Sequence, residues 1–179
     1  MKKKIAILGS TGSIGKTLIN IIKQDKKNFE IVLLSADKNY KELLKQAKYF
    51  KVKNLIITNK NSYIKIKKNR YTKNIQIFNN FHNFKKIFKN KIDYTMSSIT
   101  GIQGLKPTID IIKYSKKIAI ANKESIICGW HLIKKKLKKY KTKFIPVDSE
   151  HFSIWYAVKD IDKNLIDKIY ITASGGPFL

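Results

Sequence analysis

Short apolar runs alternate with amphipathic stretches along the whole chain. The runs are rich in Ile, Val and Leu, which is typical of strands that are buried on both faces of a sheet. The predicted strands are Lys4–Leu8, Phe29–Ser35, Asn54–Thr58, Ile75–Phe78, Tyr94–Ser97, Lys117–Ala121, Lys143–Val147 and Lys168–Ala173. Between the runs, apolar residues recur with the spacing of a helix face. The predicted helices are Ile14–Ile22, Tyr40–Tyr49, Ser62–Lys68, Asn83–Phe88, Leu105–Ile112, Ile126–Leu137 and Glu150–Val158.

The order of these elements predicts an α/β protein. Strands that alternate with helices form βαβ units, and successive units build a mostly parallel sheet. We therefore expect residues 1–147 to form a Rossmann-like, doubly wound domain. No linker rich in Pro, Gly or Ser interrupts the chain. We place the start of a second domain, residues 148–179, near Pro146–Asp148.

Charge is the most unusual property of the composition. The chain has 38 Lys and Arg against 12 Asp and Glu, a formal net charge of +26. Such a protein could bind RNA or an anionic membrane. The basic residues are, however, mostly Lys rather than Arg and are spread along the chain, whereas nucleic-acid recognition favours clustered Arg. Lys, Ile, Asn, Tyr and Phe share codons rich in A and T, so we attribute the charge to genome composition and predict no nucleic-acid partner.

The sequence indicates a cytoplasmic protein without a membrane partner. No apolar run approaches the ~20 residues that span a bilayer. The apolar stretch Ile5–Leu8 is too short for a secretory signal. The single cysteine, Cys128, excludes an internal disulfide, as expected in a reducing compartment. We expect Cys128 to be a small, buried apolar side chain.

A glycine-rich loop, Gly9–Gly15, lies between the first predicted strand and the first predicted helix. Its spacing, G-x-x-G-x-x-G, is a variant of the dinucleotide fingerprint. That fingerprint needs a tight turn, close approach of the backbone to a pyrophosphate, and close packing of the helix on the strand. Free N–H groups at the helix start attract the anion, and Thr11 and Ser13 add hydroxyl donors. The loop predicts a nicotinamide dinucleotide site, with a plain structural turn as the alternative.

The end of the second predicted strand leaves the choice of dinucleotide open. Asp37 and Lys38 stand about 20 residues beyond the last glycine, where this fold reads the adenosine ribose. An acid at that place favours NAD through the ribose hydroxyls, whereas a base favours the additional phosphate of NADP. Because the two residues are neighbours, the local pattern favours neither cofactor.

Two later segments follow predicted strands and carry charged side chains. Asp148 and Glu150 could bind one hard cation such as Mg²⁺ or Mn²⁺. The alternative is a helix start, with Asp148 or Ser149 as the N-cap. Lys123 and Glu124 could form a solvated ion pair, or they could face a cofactor and substrate at the sheet edge.

Four segments together resemble the 1-deoxy-D-xylulose 5-phosphate reductoisomerase family. They are Gly9–Gly15, Ala121–Ser125, Pro146–His151 and Ser174–Phe178, and they occur in the family's order. The resemblance runs over the full chain. It implies an enzyme of isoprenoid precursor synthesis that uses NADPH and Mn²⁺ or Mg²⁺. Such an enzyme rearranges a phosphorylated sugar, 1-deoxy-D-xylulose 5-phosphate, and reduces the product to 2-C-methyl-D-erythritol 4-phosphate.

The resemblance also implies roles for individual residues. The implied cofactor contacts are Thr11, Gly12, Ser13, Ile14, Lys38, Asn39, Asn122 and Glu124. The implied substrate contacts are Lys123, Ser149, Glu150 and Ser174. Asp148 and Glu150 match metal ligands, and with Lys123 they are the implied catalytic residues. Residues 148–179 would then begin a catalytic, metal-binding α+β domain.

Two features depart from the family pattern. Asp37 stands where the family usually has glycine, and its negative charge should weaken NADPH binding unless Lys38 compensates. Family members are also considerably longer and are expected to be homodimers. The remainder should carry a third carboxylate ligand, a lid and most phosphate contacts, so we expect this chain to be inactive alone. The alternatives are an NADPH-binding remnant or another Rossmann oxidoreductase, such as a semialdehyde or homoserine dehydrogenase.

Overall fold

Seven parallel strands form a single sheet in the computed structural model, which describes residues 1–170 except for the side chains of residues 149 and 150. The strands are β1 Lys3–Leu8, β2 Phe29–Ala36, β3 Asn54–Ile57, β4 Gln76–Phe78, β5 Ile92–Ser97, β6 Ser115–Ile120 and β7 Lys143–Pro146. They lie in the order β4-β3-β2-β1-β5-β6-β7, and every neighbouring pair is parallel. The Rossmann-like α/β prediction is confirmed.

The connections between the strands are mostly helical. The helices are α1 Ser13–Gln24, α2 Tyr40–Phe50, α3 Lys60–Lys67, α4 Phe84–Ile87, α5 Leu105–Ile111, α6 Lys123–Tyr140 and α7 Ser149–Val158. Short 3₁₀ turns lie at Arg70–Thr72, Phe81–Asn83, Ile102–Gly104, Ile112–Tyr114 and Lys163–Leu165. Within residues 1–170, none of the helices combines the length and the apolar character needed to cross a membrane.

The core consists of two apolar layers, one on each face of the sheet. Alternate residues of β1 point to opposite faces, as the two-residue period of a strand requires. Ile5 and Ile7 join one layer, which α1, α2 and α3 cover. Ala6 and Leu8 join the other layer, to which α4, α5 and α6 contribute Phe84, Ile111 and Ile133. Continuous apolar runs were therefore the correct signal for these strands.

The direction in which the sheet grows changes at β1. The chain adds β2, β3 and β4 on one side of β1 and then returns to place β5 on the other side. Connections that leave β1 and β5 diverge at such a switch point and open a crevice outside the carboxyl ends of the strands. The fold therefore places a ligand crevice directly beside the glycine-rich loop.

The structure corrects one prediction about α6. Cys128 is exposed, not buried. The stripe of α6 that faces the sheet consists of Ser125, Gly129 and Ile133, and Cys128 lies outside that stripe. Gly129 packs so closely against the Leu105 side chain that a Cβ would come within 2.4 Å of it. The contact lies on the side of α6 that faces the sheet, and Cys128 lies on another side.

The predicted helix Asn83–Phe88 is the short helix α4 preceded by the 3₁₀ turn Phe81–Asn83. The predicted strand Lys168–Ala173 extends beyond Tyr170 and so lies partly outside the described residues, and residues 168–170 are not in a strand. The remaining predicted strands and helices are present, with ends that differ by a few residues.

Asp93 ties three strands together at the amino-terminal edge of the sheet. Its carboxylate accepts hydrogen bonds from the Lys116 ammonium at 2.8 Å and from the backbone N–H of Lys4 at 2.9 Å. These contacts hold the pKa of Asp93 below its ordinary value of 3.8. The stabilisation is therefore present above that value and is lost as the pH falls through the lowered pKa.

We expect Asp93→Asn to lower the free energy of unfolding at pH 7 by less than about 1 kcal/mol, because the Lys116 side chain is 62% exposed and its charge is screened. Urea denaturation at pH 7 and again near pH 2.5 should show this difference shrink as the wild-type carboxyl becomes protonated. Asp110→Asn, which removes only an exposed pair with Lys106 on one helix, is the matched control. An equal loss of unfolding free energy at both pH values would show that the charge of the Asp93 carboxylate does not stabilise the fold.

Candidate functional site

The candidate site residues lie along one edge of the sheet. Leu8 pairs with Ser97, Ser97 with Ile120, and Ile120 with Pro146, so β1, β5, β6 and β7 end at the same level. The loops that follow these strands contain the glycine-rich loop, the Asn122–Glu124 segment and Asp148. Parallel strands thus bring segments that are far apart in sequence to a common edge, where α/β folds bind ligands.

Two glycines of the loop are required by the protein's own packing. Gly9 has φ +83°, and a Cβ on it would lie 2.7 Å from the backbone oxygen of Ser98. A Cβ on Gly15 would lie 2.3 Å from the backbone oxygen of Gly9. Neither backbone atom can rotate away as a side chain could. These glycines allow β1, α1 and the loop after β5 to meet.

Gly12 differs from the other two glycines. It is the N-cap of α1 with φ −77°, and a Cβ there would meet only the Gly9 oxygen at an ordinary 3.5 Å. Among the described residues, no side chain caps α1 and no acidic residue lies in its first turn. The positive end of the helix dipole therefore opens outward beside a bare backbone. An anionic group such as a pyrophosphate fits this arrangement.

Buried polar groups hold the underside of the loop. Ser10 is fully buried, and both its N–H and its hydroxyl donate to the Ser35 oxygen, at 2.8 and 3.3 Å. Gln46 of α2 donates from Nε2 to the Ser10 oxygen at 3.1 Å. Sequence reasoning missed Gln46, although a glutamine beside Leu43 and Ala47 on the apolar stripe of α2 was an available signal.

A cavity of about 580 Å³ lies against the loop. This volume is within the usual range of small-molecule sites. The cavity is lined by Gly9, Thr11, Gly12, Ser35, Ala36, Asp37, Thr58, Phe81, Ser98, Ile99, Thr100 and Gln103. The sequence had indicated Thr11, Gly12 and Asp37 for this region. It had not indicated the residues after β3 and β5, although Ser98 and Thr100 follow a strand and are polar.

The two charged residues that follow β2, Asp37 and Lys38, have different surroundings. Asp37 lines the cavity, and its Oδ1 accepts a hydrogen bond of 2.7 Å from the Thr58 hydroxyl. Lys38 is exposed and is not among the lining residues, and its backbone oxygen accepts from Ser62. Asn39 caps α2, where its Oδ1 accepts from the N–H of Glu42 at 3.1 Å.

Asn122 has a structural function that the sequence did not indicate. Its side chain is buried, with 4% of the residue exposed. The amide oxygen accepts from the N–H of Ser125 and caps α6, while Nδ2 donates to the backbone oxygens of Ile99 and Gly101. Both N–H donors are therefore used to hold the loop that lines the cavity. Asn122 positions this loop from beneath.

Charged residues continue along the edge beyond the cavity. Lys123 and Glu124 are exposed in the first turn of α6. Asp148 is the N-cap of α7, as the capping alternative predicted, and its Oδ1 accepts from the N–H of His151 at 3.0 Å and pairs with His151 Nδ1 at 2.6 Å. Burial acts to raise the pKa of Asp148, but the hydrogen bonds from His151 outweigh it and hold that pKa below 3.8.

Asp148 fits a hard-cation site as one ligand, because it is held as a carboxylate at neutral pH. The described part of the chain contains no group of three His, Cys, Asp or Glu residues that could hold a metal ion. The side chains of Ser149 and Glu150, and the whole of Ser174, lie outside the described residues. A complete metal centre therefore needs ligands beyond those described.

Comparisons with known proteins agree with this geometry. The sequence profile of the 1-deoxy-D-xylulose 5-phosphate reductoisomerase family matches residues 5–129, and that of the family's C-terminal domain matches residues 144–179. The chain is 63% identical over 178 residues to the reductoisomerase of Pelagibacter ubique and 40% identical over 179 residues to that of Clostridium kluyveri. These matches cover 98% of this chain but 46% of each relative.

Solved structures show the same relationship. The reductoisomerase from Zymomonas mobilis in complex with NADPH has a TM-score of 0.76 and 29% identity, covering 84% of this chain and 40% of the other. A reductoisomerase in complex with NADPH, fosmidomycin and magnesium also gives 0.76, with 28% identity, over 83% of this chain and 37% of the other. The chain thus spans less than half the length of these relatives. It belongs to the 1-deoxy-D-xylulose 5-phosphate reductoisomerase family.

Proposed function

We propose that this chain supplies the NADPH-binding part of a reductoisomerase that converts 1-deoxy-D-xylulose 5-phosphate to 2-C-methyl-D-erythritol 4-phosphate. The observation that carries the proposal is the bare Gly12 backbone at the start of α1, facing a cavity at the switch point of the sheet. The solved relative from Zymomonas mobilis binds NADPH. When bound, NADPH supplies the hydride for the reduction step.

The cofactor would lie along the carboxyl edge of the sheet. Its pyrophosphate would pass the bare Gly12 backbone, whose own N–H donates to the Gly9 oxygen at 3.2 Å, and would meet the backbone N–H groups of Ser13 and Ile14, with Thr11 beside it in the cavity. The adenosine half would extend toward the end of β2, near Asp37 and the exposed Lys38 and Asn39. The nicotinamide half would extend toward the loops after β5 and β6.

The catalytic residues would follow at the far end of the same edge. β7 lies three strands from β1, about 14 Å at ordinary strand spacing. Asp148 and Glu150 would hold Mg²⁺ or Mn²⁺, which supplies Lewis-acid polarisation of the substrate oxygens. Lys123 would place a positive charge near the substrate phosphate or the developing oxyanion. Asn122 and Glu124 would complete the cofactor side, Asn122 by holding the loop after β5.

Three substrate contacts and the second domain belong to the same proposed enzyme. Ser149, Glu150 and Ser174 would contact the phosphorylated substrate, and residues 148–179 would begin the catalytic domain. The whole protein would be a homodimer. The cytoplasmic location and the lack of a nucleic-acid or membrane partner stay predictions from the sequence.

We expect the 179-residue chain to bind NADPH without turning over substrate, because it covers 46% of its relatives and carries two of the three carboxylate ligands expected for the metal. Titrating the chain against NADPH fluorescence should give a saturable change. Adding 1-deoxy-D-xylulose 5-phosphate and Mg²⁺ should then cause no NADPH oxidation, whereas a full-length relative under the same conditions provides the positive control. Failure to saturate would contradict the proposed function. Substrate-dependent oxidation would show that this chain is catalytically complete.

A further inference from the structure

We propose that Asp37 reads the ribose hydroxyls of the adenosine half, so that this chain accepts NADH as well as NADPH. The inference rests on the proposed function, because it concerns the same cofactor cavity. It adds the residue that determines the cofactor preference. A preference set by the neighbouring Lys38 would instead favour NADPH, because a base at this place favours the additional phosphate.

The position of Asp37 is the first argument. Asp37 follows β2, whose end is tied to the glycine-rich loop because the N–H of Gly9 donates to Ser35 Oγ at 3.0 Å. It stands about 20 residues beyond Gly15, and a carboxylate at that point of a dinucleotide-binding fold accepts hydrogen bonds from the adenosine ribose. Asp37 also lines the cavity, so its side chain is accessible to a ligand there.

The orientation of the carboxylate is the second argument. Thr58, which follows β3, donates to Asp37 Oδ1 at 2.7 Å, and the N–H of Asn59 donates to the Asp37 backbone oxygen at 3.4 Å. The loop after β3 therefore holds Asp37 at the cavity wall. A neutral hydroxyl restrains the carboxylate and leaves its negative charge in place.

The chemistry of the two cofactors is the third argument. The ribose of NADH presents two neighbouring hydroxyls, and hydrogen bonds from hydroxyls to a carboxylate are strong. The ribose of NADPH carries a phosphate in place of the 2′-hydroxyl, and a carboxylate at contact distance repels that phosphate. Among the described ion pairs, none joins Asp37 to a lysine. Lys38 is next in sequence and is exposed like Asp37, but it does not line the cavity.

The test measures the dissociation constants of NADH and NADPH for the full 179-residue chain by fluorescence titration. We expect the wild-type constants to lie within about tenfold of each other. Asp37→Asn keeps an acceptor for Thr58 and removes the charge, and it should shift the ratio of the two constants toward NADPH by about tenfold, the usual effect of one charged hydrogen bond. Thr58→Val should shift the ratio in the same direction by a smaller factor.

Two matched variants complete the design. Lys38→Ala should shift the ratio of the two constants by less than Asp37→Asn does, because Lys38 does not line the cavity, and Asp110→Asn, an aspartate on the surface of α5, should leave both constants unchanged. Thermal denaturation of each variant checks that it folds. A ratio that Asp37→Asn moves by less than threefold, with saturable NADPH binding, would overturn this inference and leave the proposed function standing. Binding of neither nucleotide would overturn both.

Discussion

Replacing Gly15 with alanine should destabilise the fold by about 3 kcal/mol or more. The new Cβ would lie 2.3 Å from the Gly9 oxygen and 2.6 Å from Ser10 Cα, both backbone atoms. Because these atoms belong to the turn that joins β1 to α1, the contact can be relieved only by moving the helix off the sheet. Helix propensity alone predicts the opposite sign, since alanine is favoured over glycine by about 1 kcal/mol. Urea denaturation measures the difference.

Gly129→Ala is the matched control for this experiment. Gly129 is also buried, at a kink within α6 where φ is −129° and ψ is 15°, and its Cβ would also meet an atom at close range, 2.4 Å away. That atom is a terminal methyl of Leu105, which can change rotamer. We expect the loss in this variant to be clearly smaller. If Gly15→Ala proved as stable as the wild type, the close packing of α1 against the loop would be wrong.

Replacing Gly12 with valine should weaken NADPH binding by about a hundredfold, or about 2.7 kcal/mol. The Gly12 backbone is where the pyrophosphate is expected to approach α1, and a branched side chain would occupy that space. The fold should tolerate the change, because φ is −77° and the nearest atom to a Cβ is 3.5 Å away. The cost to stability should be about 1 kcal/mol at most. NADPH titration and urea denaturation of the same sample separate the two effects.

The control for Gly12→Val is Asn20→Val, which places the same branched residue at an exposed position of α1. It should leave NADPH affinity unchanged. Gly12→Ala should give an intermediate loss of affinity, since only one methyl group enters the space. Unchanged binding in Gly12→Val would contradict the placement of the pyrophosphate, and a loss of stability near that of Gly15→Ala would contradict the open surroundings of Gly12.

These two predictions separate glycines that look equivalent in the sequence. All three glycines of the loop satisfy one spacing pattern, and the pattern correctly predicted a turn between a strand and a helix. The spacing pattern does not distinguish a glycine that the packing of the fold requires from one that leaves space for a ligand. That distinction depends on the neighbouring atoms, and for Gly9 the closest one is the oxygen of Ser98, about 90 residues away in sequence. Long-range contacts of this kind are not encoded in local spacing.

The fold was largely predictable because its signals are local. An apolar run or a 3.6-residue repeat reports the burial of its own segment, and seven of the predicted strands are present. The eighth, Lys168–Ala173, lies partly outside the described residues. The exposure of Cys128 was wrongly predicted because it depends on which side of α6 meets Leu105. Packing against other elements sets how a helix is rotated about its axis. An apolar residue at the edge of the helix's buried stripe can therefore face either the core or the solvent.

The candidate site was predictable only in part, for the same reason. Thr11, Gly12 and Asp37 were identified from a motif, and they line the cavity. Thr58 and Gln103 lie in no motif and reach the cavity because β3 and β5 end at the edge of the sheet where β1 and β2 end. The cofactor contact of Asn122 stays a prediction, and the structure adds that its side-chain amide caps α6 and holds the loop after β5.

The class of the protein follows from sequence patterns alone. They specified a parallel α/β sheet, a glycine-rich turn at the start of the first helix, and two charged segments after later strands, and these carried the family resemblance. How those parts work together depends on the folded arrangement. The tertiary structure showed that Gly15 is needed for packing and Gly12 is not, that Asp37 rather than Lys38 lines the cavity, and that Asp148 caps a helix. Each of these facts depends on distances between atoms that only the folded chain brings together, whereas the sequence patterns report the burial and conformation of single segments.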